Sequence, residues 1–211
     1  PTSDCLGEGV ASQSLPTLHA SWYAAVEIDF IKLDGWKCFD PAWLPVYPVF
    51  RDAVAACNRP IVISMNGVGG MPENGHMWRT SGDVFRSWPS VMSNLETVAS
   101  TGGGVPGAWP DPDMLAIGHG LTPQEEIAHF SLWCITSAPL LISMDIRGLF
   151  LHHKYVFGNT DAIAVNQDTT FGGGRRIRDD GETEVWGKRL AGDAYAVVLL
   201  NRDAVPRSIG V

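Results

Sequence analysis

The stretch Asp29-Phe30-Ile31-Lys32-Leu33-Asp34-Gly35-Trp36 is a short apolar run carrying a lysine and an aspartate two residues apart near its C-terminal end. Its length is that of a strand bounded by turn residues. Side chains alternate faces along a strand, so Lys32 and Asp34 project one way while Ile31 and Leu33 project the other. Read as a buried strand, the run sets two opposite charges on one wall of a mostly buried site. Burying charge is costly, so the pair is either a structural ion pair or part of an active centre.

What surrounds this strand must be a globular protein. A chain of 211 residues that is 45% hydrophobic, with 8 Trp and 8 Phe, can bury a sizeable core in one or two domains. With 23 acidic against 15 basic residues the net charge is -8, and the basic residues are scattered, so nucleic acid and anionic membranes are poor partners and a neutral ligand fits better. The longest apolar stretches, such as Ala138 to Met144, are too short to span a bilayer. Cys5, Cys38, Cys57 and Cys134 form no C-x-x-C pair, which gives a zinc site no support, and Cys57 and Cys134 lie on apolar helical patterns as core residues would. The chain opens at Pro1 with no signal-like segment, leaving the compartment undecided, and the lack of any N-x-S/T acceptor is a hint against a eukaryotic secretory product.

Taken in order, the chain alternates. Leu15 to Val26 has helical spacing, the opening strand follows, Pro45 to Cys57 reads as a second helix, and Ile61 to Asn66 as a second strand ended by a Gly-rich loop. Met77 to Ser81 is a brief strand, and Val84 to Ser100 a long amphipathic helix closed by Gly102 to Gly104. A strand around Met114 to Ile117 precedes Thr122-Pro123-Gln124-Glu125, which is an N-cap, N1 proline and N3 glutamate for a helix to about Ser137. Leu140 to Ser143 reads as a buried strand, His152-His153 as a pair on a surface loop, and Asn159 to Asn166 as a short helix. Beyond residue 167, the segments Arg175 to Arg178, Glu182 to Arg189, Ala194 to Asn201 and Arg207 to Val211 alternate like antiparallel strands joined by Asp180-Gly181 and Gly192-Asp193 turns.

Five strands with polar residues at their C-terminal ends predict an α/β fold, a partial (β/α)8 barrel, with an all-β domain after it. Five parallel strands alone would leave two open edges, so the chain reads as a fragment of a larger protein. An open doubly wound sheet is the alternative, but no Gly-rich phosphate fingerprint follows any strand.

A barrel brings Lys32, Asp34, Asn66, Arg79, Asp83 and Asp113 to one mouth. Two carboxylates, one kept ionised by a neighbouring cation and the other able to hold a proton, are what glycoside cleavage needs. Asp34 beside Lys32 suits the nucleophile. Asp83, on a Gly-containing loop, suits the acid, although it could equally be an N-cap for a helix starting at Val84. Arg79 could clamp a sugar hydroxyl, and Trp36, Trp78 and Trp109 could stack on a sugar ring. Asp111-Pro112-Asp113 does not by itself specify calcium, and no metal is expected. A lysine on a barrel strand could instead form a Schiff base, an idea weakened by Asp34, which would keep Lys32 protonated.

The collinear series Lys32-x-Asp34-Gly35, Trp78-Arg79-Thr80-Ser81-Gly82-Asp83, Pro106-Gly107-Ala108-Trp109-x-Asp111-Pro112-Asp113-Met114-Leu115, Ala138-Pro139-Leu140-Leu141-Ile142-Ser143-x-Asp145-Ile146-Arg147 and Ala164-Val165-Asn166-Gln167-Asp168 resembles glycoside hydrolase family 27, the melibiase-type α-galactosidases and α-N-acetylgalactosaminidases. The resemblance implies barrel strands 4 to 8 in residues 1–166 and the start of a C-terminal antiparallel β-sandwich in residues 167–211. It implies a retaining exo-α-galactosidase with Asp34 as nucleophile and Asp83 as acid and base, which retention would set roughly 5–5.5 Å apart. Lys32, Asn66, Arg79, Asp113, Met114 and Trp36 would contact the sugar. No cofactor is implied, the partner is a small α-galactoside, a homo-oligomer is compatible, and a secreted or periplasmic protein is favoured. An α-N-acetylgalactosaminidase, a related family 27 glycosidase and an inactive sugar-binding remnant are the alternatives.

The chain departs from the family pattern in places. Its first three barrel strands are absent, with the aspartates and aromatic that grip the far side of the sugar. Animal members carry a disulfide where this chain has Met65 and Gly75, and the resemblance offers Cys38 as a partner for Cys5.

Overall fold

In the computed structural model, which describes residues 16–33, 46–66 and 72–210, the chain divides into two units, Pro1–Arg79 and Thr80–Val211. The first contains helix α1 (Pro16–Ala25), strand β1 (Phe30–Leu33), helix α2 (Val46–Ala55) and strands β2 (Val62–Met65) and β3 (Met77–Arg79). β1 and β2 are parallel, with Ile31 opposite Ile63 and Lys32 opposite Ser64. A hairpin cannot join parallel strands, and α2 supplies the crossover. β3 extends the sheet in the same direction, with Ser64 beside Met77. Ala20 of α1, Phe50 and Val54 one turn apart on α2, Ile61 just before β2, and Ile31, Ile63 and Met65 of the sheet bury into one core.

β1 is less buried than its composition predicts. Ile31 is buried, but Phe30 is 40% exposed and Lys32 is exposed. Among the described residues β1 pairs with β2 alone. Asp34, Trp36, Cys5 and Cys38 lie outside the described residues.

The second unit holds α3 (Trp88–Ser100), β4 (Trp109–Asp111), α4 (Pro123–Ile135), α5 (Leu151–Phe157), α6 (Thr160–Gln167), β5 (Arg175–Asp179), β6 (Thr183–Arg189) and β7 (Tyr195–Asn201). α3 starts four residues later than the periodicity predicts. Its N-cap is Ser87 and a proline occupies its first turn, where the missing N–H costs nothing. α4 starts at the expected capping box: Thr122 Oγ1 accepts from Glu125 N at 3.3 Å, and Glu125 Oε2 accepts from Thr122 N at 2.7 Å. It ends at Ile135, short of Ser137, whose φ of 57° leaves the helical region.

Three expected strands are corrected among the described residues. The strand near Met114 is β4, five residues earlier, and the segments 114–117 and 140–143 meet only in an isolated parallel bridge between Leu115 and Ile142. Residues 207–210 form no strand. His152 and His153 sit not on a loop but on α5, where both Nε2 atoms approach the buried Glu126, at 3.0 and 3.5 Å.

β5, β6 and β7 form an antiparallel sheet in sequence order, with Gly187 opposite Val197 and Trp186 opposite Val198. Trp186 and Leu200 belong to the same core as Leu95, Leu115, Leu132 and Trp133. Buried charge ties the sheet down as well. Glu184, fully buried, accepts from Arg176 at 3.1 Å, Arg202 at 2.6 Å and Trp186 Nε1 at 2.6 Å. Lys188 Nζ donates to Ser137 Oγ at 2.6 Å and to the Val165 carbonyl at 2.5 Å, a cation at the carbonyl end of α6 where the helix dipole favours it. Burial pushes the nearby Cys134 thiol up to about 12, against the lowering by Lys188, so Cys134 is an inert core residue, while Cys57 is only partly buried.

The link into this sheet has no spare room. Gly172 has φ of +93°, and a Cβ there would stand 2.2 Å from the Gly104 carbonyl oxygen. At Gly174 it would stand 2.5 Å from the Ile135 oxygen, and Gly174 N donates to that same carbonyl at 2.8 Å.

Candidate active site

In the first unit the predicted residues gather at the C-terminal ends of the parallel strands. Lys32 stands beside Ser64 in register. Asn66, one residue past β2, donates its N–H to the Leu33 carbonyl at 2.9 Å, which continues the ladder and fixes where its side chain starts. Arg79 closes β3, is 2% exposed, and its Nη1 donates to Asn66 Oδ1 at 3.1 Å. The sheet therefore brings Asn66 and Arg79 into contact. Met65 packs close to Gly75, where an added Cβ would lie 3.1 Å from Met65 Cε.

In the second unit backbone N–H groups hold the Asp113 carboxylate. Asp83 lies exposed in the loop between β3 and α3. It is not an N-cap, because α3 begins only after Ser87. Asp113, 6% exposed, takes the left-handed conformation at φ +84°, which is strained for a residue other than glycine. The strain is held in place by a set of bonds. Asp113 Oδ2 accepts from Val84 N at 2.9 Å and its Oδ1 from Met114 N at 2.8 Å. Asp113 N donates to Asp111 Oδ1 at 2.8 Å, and the Asp113 carbonyl accepts from Trp133 Nε1 at 2.8 Å. The Asp113 carboxylate thus binds the peptide N–H directly after Asp83. Met114 is 40% exposed beside it.

α4 supports this loop from below. His129, fully buried, packs edge-on against Trp133 with ring centroids 4.0 Å apart, and its Nε2 accepts from Ala116 N at 3.0 Å. Burial pushes its pKa down to about 3, against a smaller raising by a backbone hydrogen bond, so the ring is a neutral acceptor. Sequence reasoning passed over His129, Trp133 and Asn94. For the first two a signal existed, since a spacing of four puts them on one helix face.

Among the described residues no group of three or more His, Cys, Asp or Glu is arranged to hold a metal ion, and no helix is long and apolar enough to cross a membrane.

Residues 2–168 match the sequence model of the family described as Alpha galactosidase A, and residues 172–211 match that of the Alpha galactosidase A C-terminal beta sandwich domain. Alpha-galactosidase 3 of Arabidopsis thaliana is 37% identical over 205 residues, covering 90% of this chain and 46% of the relative. An alpha-N-acetylgalactosaminidase of Mus musculus is 33% identical, covering 94% of this chain and 52% of the relative. A solved structure from Bacteroides fragilis superposes with a TM-score of 0.87 at 29% identity, covering 98% of this chain and 50% of that one. The chain spans about half the length of the curated relatives it matches. With parallel strands joined through helices, followed by an antiparallel sheet on the matched sandwich segment, the chain belongs to the alpha-galactosidase A (melibiase) family, glycoside hydrolase family 27, as part of its (β/α)8 barrel and the beginning of its C-terminal β-sandwich.

Proposed function

We propose that the protein containing this chain is a retaining exo-α-galactosidase that releases terminal α-linked galactose by double displacement. Residues 1–166 belong to its catalytic barrel and 167–211 to its sandwich. Asp34 attacks the anomeric carbon as the bond to the leaving oxygen breaks, and the Asp83 carboxylic acid gives that oxygen its proton. The Asp83 carboxylate then takes a proton from water as the water attacks the glycosyl ester, freeing Asp34 and galactose with its configuration retained. Lys32, Asn66, Arg79 and Asp113 hold sugar hydroxyls, with Met114 and Trp36 against the ring.

The observation that carries this reading is the Asp113 loop. A buried carboxylate in a strained left-handed conformation, bonded to the peptide after Asp83, is a costly arrangement of the kind found at functional sites. In full-length protein, Asp34→Ala is expected to remove turnover of 4-nitrophenyl α-galactoside. Near-normal turnover by that variant, with Lys32→Ala inactive, would overturn the assignment. A second reading, an α-N-acetylgalactosaminidase, is supported by the mouse relative of that name. The ratio of kcat/KM for the 2-hydroxy and 2-acetamido aryl glycosides decides between them.

A further inference from the structure

We propose that Asn94 is a positioning residue that sets the spacing of the Asp83 and Asp113 loops by clamping the carbonyl directly before each acid. The inference rests on the reading above, in which Asp83 is the acid and base and Asp113 a sugar ligand. Asn94 lies on α3 and is 5% exposed. Its Nδ2 donates to the Pro112 carbonyl at 2.9 Å and to the Gly82 carbonyl at 3.3 Å. An amide nitrogen carries two hydrogens, one for each acceptor.

Asparagine is a poor residue for a helix interior, where its amide competes with the backbone. Its place here is explained by what it holds. Three residues on, on the same helix face, Thr97 Oγ1 meets Thr80 Oγ1 at 2.9 Å, and Thr80 N donates to the Asp111 carbonyl at 3.1 Å. α3 therefore presents a polar rack on which the loop 80–83 and the loop 111–113 are hung side by side. Asp113 Oδ2 joins them again at Val84 N.

The rack matters because a general acid must sit within hydrogen-bond reach of the leaving oxygen. Removing both amide hydrogens takes the 2.9 Å bond from the Pro112 carbonyl and one of the bonds from the Gly82 carbonyl, which keeps Ser81 Oγ at 3.1 Å, so the two loops lose the link that fixes their spacing and Asp83 and Asp113 shift apart. The deficit should appear where protonation of the leaving group limits the rate.

The test is the dependence of kcat/KM on leaving-group acidity in full-length protein. Asn94→Leu, close in volume and without donors, is expected to lower kcat/KM on the order of 10-fold to 100-fold for phenyl α-galactoside. For the 2,4-dinitrophenyl glycoside, which departs without a proton, the loss should be several-fold smaller, what remains being the share due to Asp113, which holds the sugar whatever the leaving group. Asn94→Ser, which keeps one donor, should fall between, and it carries the same measurement should the leucine variant not fold. A folded variant with the wild-type leaving-group dependence overturns the clamp. Wild-type protein inert toward every aryl α-galactoside overturns the α-galactosidase reading itself, and the clamp's catalytic role with it.

Discussion

In the unit Pro1–Arg79, Lys32, Asn66 and Arg79 take their places from strand register, whereas in Thr80–Val211 Asp83 and Asp113 sit in loops that other side chains tie down. The parallel ladder positions a residue at its end through backbone bonds that any sequence can make. Asn66 needs only its N–H on the Leu33 carbonyl. The loop carrying Asp113 lies two residues past the end of β4. It relies on Asp111, Asn94, Trp133 and the Asp113 carboxylate itself, so under the proposed function the group that holds the sugar also holds its own loop.

Unequal sensitivity to substitution follows. Asp113→Ala strips the acceptors from Val84 N and Met114 N and leaves an alanine at a left-handed φ. We expect a loss on the order of 3 kcal/mol by denaturant unfolding. Asn66→Ala, on the ladder side, takes an acceptor from the buried Arg79 guanidinium and should cost less, on the order of 2 kcal/mol. If the asparagine change proved the more damaging, the contrast between the two regions would be wrong.

His129 sharpens the comparison through pH. Its pKa is near 3 in the folded state, down from 6.5, through burial. Between these values the unfolded chain binds a proton that the folded chain does not, so stability is full above 6.5 and falls as pH drops toward 3. The slope from this residue approaches about 1.4 kcal/mol per pH unit. In His129→Gln, which retains an acceptor for Ala116 N without titrating, unfolding free energy measured from pH 6 to 4 should lose about that slope. An unaltered pH profile would mean that the ring is protonated under its loop.

The smallest effects compare the two helix starts. Thr122→Ala removes a capping box and should cost about 1 kcal/mol. Ser87→Ala removes a side chain that makes no capping bond, so its unfolding midpoint should stay at the wild-type value. A matching loss in both would show that bonds made by a cap are not what counts here.

What could be read in advance follows the same division. The first parallel strands and their helices, the Thr122 capping box and the antiparallel strands up to Asn201 are written in local periodicity and turn chemistry. Pro89 also marked the true start of α3, two residues past Ser87, but the apolar spacing from Val84 masked it. Leu115 was legible as apolar but not as isolated, because the left-handed turn at Asp113 depends on partners twenty and more residues away. α5 was missed because Leu151-His152-His153-Lys154-Tyr155 shows no clean apolar stripe, with only His153 and Val156 buried. The exposure of Phe30 was invisible because composition reports what a strand can bury, not whether a neighbour is present to cover it.

The glycine link at 172–174 has a consequence for anyone who would cut or graft this protein. Segments that join domains are usually where proteases nick and where insertions are tolerated, because their backbone is exposed and unbonded. Here the chain runs against the Gly104 and Ile135 carbonyls with no space for one added carbon. A recombination crossover or protease site placed at the family boundary would break packing that belongs to both sides. Transplanting the C-terminal sheet onto another scaffold should succeed only when the 102–104 turn and the end of α4 travel with it.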